Sequence, residues 1–184
     1  AKGLTITLGS SSAIFASNLS TLGSSVSFIG KIGRDDFGDQ IMTSLEAKGV
    51  DTQNIVRTDQ YNTGVTIVLN FMEDRANVTY PGAMHHLTIH DIAEKNLRRA
   101  RHLHVSSLFL QEGLHKDIIH LFRNAKELGL TTSIDPQWDP AGKWDLELKN
   151  LLPYVDIFMP NAAELIAITQ KATLEYALEM LKEF

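Results

Sequence analysis

Residues 28–55 read FIGKIGRDDFGDQIMTSLEAKGVDTQNI, and this stretch decides the fold. Residues 26–29, which lead into this stretch, are apolar enough for a buried strand. A helix is then predicted to begin at Asp35 or Asp36, because aspartate readily caps a helix N-terminus, and to end at Gly49. A new extended segment follows that glycine. A strand, a helix and a second strand in so few residues predict α/β architecture.

Two glycines and an apolar helix face complete this pattern. Gly30 and Gly33 are interpreted as a tight turn between strand and helix, because glycine adopts backbone conformations that other residues avoid. Phe37, Ile41 and Leu45 recur at helical spacing. We expect these three side chains to lie on one face of the helix.

The rest of the chain alternates between helical and strand-like patterns. Helical periodicity recurs over residues 13–22, 88–99, 114–128, 162–168 and 174–184. Apolar runs that suit strands lie between helices at residues 102–108, 131–134 and 155–159. Strands separated by helices favour parallel pairing through helical crossovers, and therefore a doubly wound sheet.

Residues 53–80 break this alternation. Extended segments at 63–71 and 77–80 are separated by a polar turn at residues 72–75. This part of the chain is predicted to be a hairpin-rich insertion.

Composition excludes several classes of function. The 184 residues are 43% hydrophobic, enough for a core in a single domain, and the formal net charge is −5 with no Lys/Arg-rich block. Nucleic acid and anionic membrane are therefore not expected as partners. The chain has no cysteine, which excludes disulfides and thiolate chemistry and fits an intracellular setting. No apolar run approaches the roughly 20 residues of a membrane span, so we expect a soluble, cytoplasmic protein.

Five dispersed segments recur in the order and approximate spacing of a known family. They are Gly30, Gly33, Asp35, Phe37 and Gly38; Gly49-Val50-Asp51; Thr63-Gly64; Ser133-Ile134-Asp135-Pro136; and Met159-Pro160-Asn161-Ala162-Ala163-Glu164. Together they resemble the ribokinase or PfkB family of carbohydrate kinases. The chain is identified as a member of that family over nearly its whole length.

The resemblance implies a ribokinase-like α/β fold. That fold is a doubly wound, mainly parallel sheet with helices on both faces and a small β-sheet lid. Residues 1–184 would form part of one such domain, with the lid inserted at about residues 53–80. In the family the lid covers the sugar site, and it is expected here to offer a homodimer interface.

The resemblance also implies ATP-dependent phosphorylation of a hydroxymethyl group on a sugar or related carbohydrate, with ATP and Mg²⁺ as cofactors. The family's Gly-Ala-Gly-Asp segment, which carries the catalytic aspartate, has no counterpart in residues 170–184. We therefore leave the catalytic base unassigned, and expect this chain alone to be inactive and its parent to be longer at both ends. The alternative is a noncatalytic sugar-binding or interaction module of the same fold.

Asn161 and Glu164 follow the apolar run at residues 155–159, and open α/β sheets bind ligands at the carboxyl ends of their strands. By resemblance they match the family's Asn-x-x-Glu motif, which organises Mg²⁺-bound water and the nucleotide phosphates. Glu164 is the predicted metal contact, through water. The alternative is that Asn161 caps the next helix and Glu164 favours its first turn, and both interpretations can hold together.

The predicted sugar contacts lie in two stretches. Gly9 and Ser10 precede a helix, where backbone N–H groups or hydroxyls can bind a ligand or simply cap the helix. Ile14 occupies the position at which the family has a sugar-binding asparagine, so the substrate is held differently or is less polar than ribose. The resemblance places Gly30 near the substrate cleft.

The second stretch follows the strand-like run at residues 103–110. By approximate register, Gln111 or Glu112 takes the place of the family's sugar-contacting side chain, with an ordinary polar loop as the alternative. Asp-Pro turns explain Asp135 and Asp139, and packing explains Trp138 and Trp144.

Overall fold

The computed structural model describes residue 3 and residues 5–71 and 74–184. The chain forms two compact units, Ala1–Leu87 and Thr88–Phe184. Each unit has its own helices, strands and buried side chains, and each is described by itself.

The first unit contains a parallel strand pair, an antiparallel hairpin and two α-helices. Its elements are α1 (Ser11–Thr21), β1 (Gly30–Gly33), α2 (Asp36–Glu46), β2 (Ile55–Thr58), β3 (Val65–Phe71), β4 (Asp74–Tyr80) and a 3-10 helix (Gly82–His86). Strand β1 pairs in parallel with β2, so the predicted strand–helix–strand unit is present.

The first strand begins later than predicted. Residues 26–29 contribute only an isolated bridge between Ser27 and Asp51, and the strand itself is Gly30–Gly33. Gly30 and Gly33 are therefore paired strand residues, and the prediction that they form a tight turn is wrong. Gly33 is required for close packing, because a Cβ there would lie 2.7 Å from the Thr63 backbone nitrogen.

Helix α2 follows the predicted pattern with one exception. Leu45 is fully buried against α1, and Ile41 packs on the same cluster. Phe37, however, is 43% exposed, although it shares the helical spacing of the other two residues. Gly49 ends this segment in the left-handed region at φ +78°, as its helix-stop prediction requires.

The second unit is built on a three-stranded parallel sheet. Its strands are β5 (His102–Ser106), β6 (Thr131–Asp135) and β7 (Ile157–Phe158), in the order β5-β6-β7. Its α-helices are α3 (Glu94–Leu97), α4 (Glu112–His115), α5 (Ile118–Glu127), α6 (Leu148–Leu151), α7 (Ala162–Thr169) and α8 (Leu174–Leu181). Three 3-10 helices complete it: Ile89–Asp91, Leu108–Leu110 and Leu152–Tyr154.

Helix α5 supplies much of the core of this unit. Ile118, Leu121, Phe122 and Ala125 are buried at the spacing of one helix face, and Ile134 of β6 is fully buried. Two predicted helices are shorter than expected. The pattern at residues 88–99 gives only the 3-10 helix Ile89–Asp91 and α3, and the pattern at 114–128 divides between α4 and α5.

The predicted hairpin is present as the antiparallel pair β3 and β4. Asp74 and Arg75 belong to β4, while Met72 and Glu73, also within the predicted turn, lie outside the described residues. Within the described part of the chain, none of the helices has the length and apolarity that crossing a membrane requires.

Candidate functional site

Asn161 and Glu164 are held together at the carboxyl end of β7. The Asn161 side-chain oxygen accepts a hydrogen bond from the Glu164 backbone N–H at 3.0 Å, and the Glu164 carboxylate accepts one from the Asn161 N–H at 3.0 Å. This is a capping box at the start of α7. The structural interpretation of these residues is therefore confirmed, and their contact with metal or nucleotide stays a prediction.

The chemistry of this pair fits a hydrated magnesium ion. The box uses Oδ1 of Asn161 and Oε2 of Glu164, so the second carboxylate oxygen of the buried Glu164 lies outside it. Carboxylate oxygen is a hard ligand of the kind Mg²⁺ prefers, directly or through water. Among the described residues, no three His, Cys, Asp or Glu side chains converge into a metal cluster.

Two polar residues at the ends of β5 and β6 were missed by the sequence analysis. Ser107 (φ 56°) and Gln137 (φ 60°) both occupy the left-handed region. The Ser107 hydroxyl donates a hydrogen bond to the Gln137 side-chain oxygen at 2.7 Å, and the Gln137 amide lies 3.3 Å from an oxygen of Asp135. Non-glycine residues in this region often mark functional sites. No residue-level signal in the sequence identifies them beyond their place directly after apolar strands.

Gln111 is buried and connects the loop after β5 to the strand itself. Its side-chain nitrogen donates to the Ser106 carbonyl at 2.7 Å. Glu112 is the first residue of α4 and is exposed. The amide nitrogen of Gln111 therefore has a structural partner, while Glu112 is the one of the two with an exposed side chain.

The buried side chain of Asp139 holds the loop after β6 through hydrogen bonds to its backbone. This buried carboxylate accepts hydrogen bonds from the backbone N–H groups of Ala141, Lys143 and Trp144 at 2.7–2.8 Å. Trp144 packs edge-on against Trp138, with ring centroids 4.9 Å apart. Trp138 is nevertheless 62% exposed, so the prediction that it is a packing residue describes only its edge contact.

His104 on β5 has a pKa below the ordinary value of histidine. Burial lowers its pKa, because the charged imidazolium loses hydration, and the opposing attraction of Asp135 does not compensate fully. His104 Nδ1 lies 2.8 Å from the Ser133 hydroxyl of the neighbouring strand. The side chain is therefore a neutral hydrogen-bonding group at physiological pH.

The other predicted sugar contacts lie in the first unit. Ser10 adopts φ 65° immediately before α1, and its carbonyl accepts the Ile14 N–H at 3.0 Å. Gly9 precedes it, and Ile14 is half-exposed on the helix. Gly30 is the first residue of β1, where a Cβ would lie 2.8 Å from the Phe28 ring.

Residues predicted to contact ligands lie in both units, and each unit is described by itself. In the second unit β5, β6 and β7 are parallel, so the segments that carry Gln111 and Glu112, Gln137, and Asn161 and Glu164 all leave the same edge of one sheet. In the first unit Gly9, Ser10 and Ile14 are local to the start of α1, and Gly30 starts β1.

Parallel strands with polar groups at their carboxyl edge define the second unit as an α/β fold, and comparisons identify the family. The family model for the pfkB family carbohydrate kinases matches residues 9–184. An uncharacterized sugar kinase of Archaeoglobus fulgidus is 26% identical over 147 residues, which cover 80% of this chain and 58% of that protein. The 2-dehydro-3-deoxygluconokinase of Bacillus subtilis is 27% identical, with 87% of this chain and 53% of that protein covered.

A solved structure agrees with these relatives. The E. coli protein assigned as ribokinase II, in complex with ATP and Mg²⁺, superposes with a TM-score of 0.80 at 25% identity. The match covers 93% of this chain and 57% of that one. The chain therefore belongs to the pfkB family of carbohydrate kinases, and its fold is ribokinase-like, as predicted. It spans about half the length of the relatives it matches.

Proposed function

We propose that the whole protein transfers the γ-phosphoryl group of ATP to a hydroxymethyl group of a sugar or related carbohydrate. The single observation that carries this proposal is the Asn161–Glu164 capping box at the carboxyl end of β7, in a chain of the carbohydrate kinase family. Phosphoryl transfer depends on positioning and on neutralising phosphate charge.

Asn161 and Glu164 would serve the phosphate side of this reaction. The capping box holds both side chains in one geometry before any ligand binds, which lowers the cost of ordering them. Mg²⁺, when bound with its water near Glu164, would neutralise phosphate charge. The ATP and Mg²⁺ in the E. coli structure support the same two ligands here.

Gly9, Ser10, Ile14 and Gly30 are proposed sugar contacts of the first unit, and Gln111 and Glu112 are proposed sugar contacts of the second. The relatives are named as kinases of different sugars: one is a 2-dehydro-3-deoxygluconokinase and another is named as a fructokinase. An aliphatic Ile14 offers neither a hydrogen-bond donor nor an acceptor at its side chain. We therefore propose a carbohydrate acceptor whose hydroxyl groups are bound by other residues of this set.

The Glu164→Gln substitution in the full-length protein tests the phosphate-side assignment. Glutamine also completes a capping box, so the substitution removes the charge while keeping the helix start. We expect sugar-dependent ATP turnover to fall by roughly tenfold to a hundredfold and to require more Mg²⁺, in line with losses of metal-supporting residues.

The matched control is Glu175→Gln, another glutamate in the first turn of a helix, α8. It should leave turnover and Mg²⁺ dependence as in the wild type. Unchanged Mg²⁺-dependent turnover in Glu164→Gln would remove the role assigned to Glu164. Sugar binding without any turnover in the wild-type protein would instead support the noncatalytic alternative.

We also propose that the β3–β4 hairpin is the lid and offers a homodimer interface. Its strand register puts Val65, Ile67 and Leu69 on one face with Tyr80, Val78 and Ala76 as their partners, so that face is continuously apolar. Ile67, Leu69, Val78 and Tyr80 are each more than half exposed. Exposed apolar patches of this kind favour a partner surface.

Sedimentation of the full-length protein tests the interface. Ile67→Lys places a charge on the apolar face and should shift the protein to monomer. Thr66→Lys, on the opposite and more polar face, is the matched control and should not. A wild-type monomer, or equal behaviour of the two variants, would contradict the dimer proposal.

A further inference from the structure

The hairpin is held at its base and not along its faces. Ile67 on the apolar face is 56% exposed, and Val68 on the opposite face is 51% exposed. Neighbouring strand residues point to opposite sides, so neither face of the hairpin is covered at these positions. The direction in which the hairpin extends is therefore set where its two ends join the rest of the first unit.

Asp35 makes the central contacts at that base. One carboxylate oxygen accepts a hydrogen bond from the Gly38 N–H at 2.8 Å, and the other accepts one from the Thr63 N–H at 2.7 Å. The Thr63 hydroxyl in turn accepts a hydrogen bond from the Gly33 N–H at 2.9 Å. These four residues, Gly33, Asp35, Gly38 and Thr63, are called the hairpin anchor.

The hairpin anchor connects the end of β1, the start of α2 and the segment that leads into β3. Gly33 ends β1, Gly38 lies in the first turn of α2, and the buried Thr63 lies two residues before β3. A Cβ on Gly33 would lie 2.6 Å from the Asp35 carboxylate, and a Cβ on Gly38 would overlap the Gly33 carbonyl. Only glycine at both positions permits this approach.

The outgoing end of the hairpin is joined to the incoming end. The Ala83 N–H donates a hydrogen bond to the Asn62 carbonyl at 2.8 Å. A Cβ on Gly64 would lie 2.5 Å from the Pro81 carbonyl oxygen. Because the two ends are packed together in this way, fixing Thr63 fixes the base of both strands.

Helix capping alone does not explain Asp35. Capping requires the oxygen that accepts from Gly38, three residues along the chain. The other oxygen binds Thr63, which is 28 residues away and begins the approach to the hairpin. One side chain therefore both starts α2 and holds the hairpin.

The charge state of Asp35 suits this role. Burial by itself raises the pKa of the carboxyl group, but hydrogen bonds from Thr63 and Gly38 and the charge of Arg57 outweigh it and lower the pKa. The group is an acceptor-only carboxylate at neutral pH, and hydrogen bonds to charged acceptors are among the stronger ones.

We propose that Asp35 is a positioning residue that acts through Thr63 to hold the β3–β4 hairpin over the acceptor sugar. The role at the sugar rests on the proposed function, in which the hairpin is the lid. Asp35 itself contacts backbone groups of the anchor and takes no part in the transfer.

Hydrogen–deuterium exchange of the ligand-free, full-length protein tests the anchor without relying on activity. In Asp35→Ala we expect amides of Val65–Phe71 and Asp74–Tyr80 to exchange roughly tenfold to a hundredfold faster, because two hydrogen bonds to a charged group are lost. Amides of His102–Ser106 in the second unit should exchange as before. The matched control is Asp36→Asn, which changes the adjacent, exposed acid and should leave hairpin exchange unchanged.

If Asp35→Ala does not fold, two variants that each remove one hydrogen bond of the anchor take its place. Asp35→Asn keeps one acceptor oxygen and so loses one of the two bonds. Thr63→Val keeps the backbone bond to Asp35 but loses the acceptor for Gly33. Both should loosen the hairpin less than Asp35→Ala, with global unfolding little changed.

Kinetics of the same variants test the role at the sugar. We expect Asp35→Ala to raise the KM for sugar by roughly tenfold while the KM for ATP changes little, since only acceptor binding depends on the lid. Hairpin exchange equal to that of Asp36→Asn would overturn the proposal, and so would a loosened hairpin with an unchanged sugar KM. If the wild type phosphorylates no sugar, the proposed function fails, and the exchange data alone decide whether Asp35 holds the hairpin.

Discussion

The β3–β4 hairpin and the central strand β6 show how little apolarity alone decides burial. Strand β3 reads VTIVLNF and β6 reads TTSID, so the hairpin strand is the more apolar. Yet Ile67 and Leu69 of β3 are more than half exposed, while Thr132, Ser133 and Ile134 of β6 are buried. Strand β6 lies between two parallel neighbours, and its three central residues are buried although two of them are polar.

The polar side chains of β6 tolerate burial because each has a hydrogen-bond partner. The Thr132 hydroxyl donates to the Tyr154 carbonyl at 2.6 Å, and the Ser133 hydroxyl lies within 2.8 Å of ring nitrogens of His102 and His104. Buried polar groups are costly only when they lack a partner. The hairpin, by contrast, leaves apolar surface uncovered, and this is the property expected of a lid or an interface.

The largest expected effect is on the free energy of unfolding when an apolar side chain of β6 or of the hairpin is shortened. Ile134→Ala in β6 should lower the free energy of unfolding by about 2–5 kcal/mol, because it removes a fully buried side chain and leaves a cavity. Val68→Ala in the hairpin should change it by no more than about 0.5 kcal/mol, because that side chain is half-exposed. Denaturant unfolding of the full-length protein measures both values. Equal losses would show that the hairpin is as well packed as the sheet.

A smaller effect is expected from buried polar groups. Thr132→Val should cost about 1–3 kcal/mol, because the Tyr154 carbonyl loses its buried donor. The matched control is Thr66→Val in the hairpin, where the hydroxyl pairs with that of Thr79 at an exposed position, and a change within about 0.5 kcal/mol is expected. The same unfolding experiment applies. A stable Thr132→Val protein would mean that hydrogen bonding is not what makes β6 tolerate its polar residues.

The smallest expected effect is on the pH dependence of the free energy of unfolding, and it acts through Asp156. The Lys126 side chain and the Thr132 N–H bind Asp156, and these hydrogen bonds lower its pKa below the ordinary 3.8. A lowered pKa in the folded state stabilises the protein above the unfolded pKa, and that stabilisation is lost as the pH falls through the folded value. Asp156→Asn should therefore be less stable than the wild type at neutral pH, and the difference should shrink below about pH 3.9.

The ion pair of Arg34 with Asp59 is the control for this measurement. Its side chains are 55% and 82% exposed, so Asp59→Asn should show little difference from the wild type at any pH, because water screens such pairs. Unfolding curves recorded from pH 7 to pH 2.5 compare the two variants. A constant gap for Asp156→Asn across this range would contradict the assigned cause.

Much of the fold could be predicted from local patterns. The parallel strands of the second unit, the hairpin, the start of α2 at Asp35 and the left-handed end at Gly49 all follow from short-range chemistry. The Asn161–Glu164 pair was predictable as well, because the capping box needs only a spacing of three residues.

Contacts between distant residues could not be predicted in this way. The sequence suggests a turn at Gly30 and Gly33, but pairing with Ile55–Thr58 makes them strand residues. Phe37 has helical spacing with Leu45, yet α2 turns it toward solvent. The bond between Ser107 and Gln137 joins residues that are 30 positions apart, and nothing local marks either residue.

The sequence by itself determined the alternation of strands and helices, the family and the Asn161–Glu164 pair, because periodicity, capping and turn chemistry act over a few neighbouring residues. The tertiary structure alone decided which strand is buried, why Gly33 and Gly38 must be glycine, and that Asp35 holds Thr63 as well as the start of α2. The physical reason is that burial and backbone hydrogen bonding depend on which distant segment lies alongside, and local sequence does not specify that neighbour.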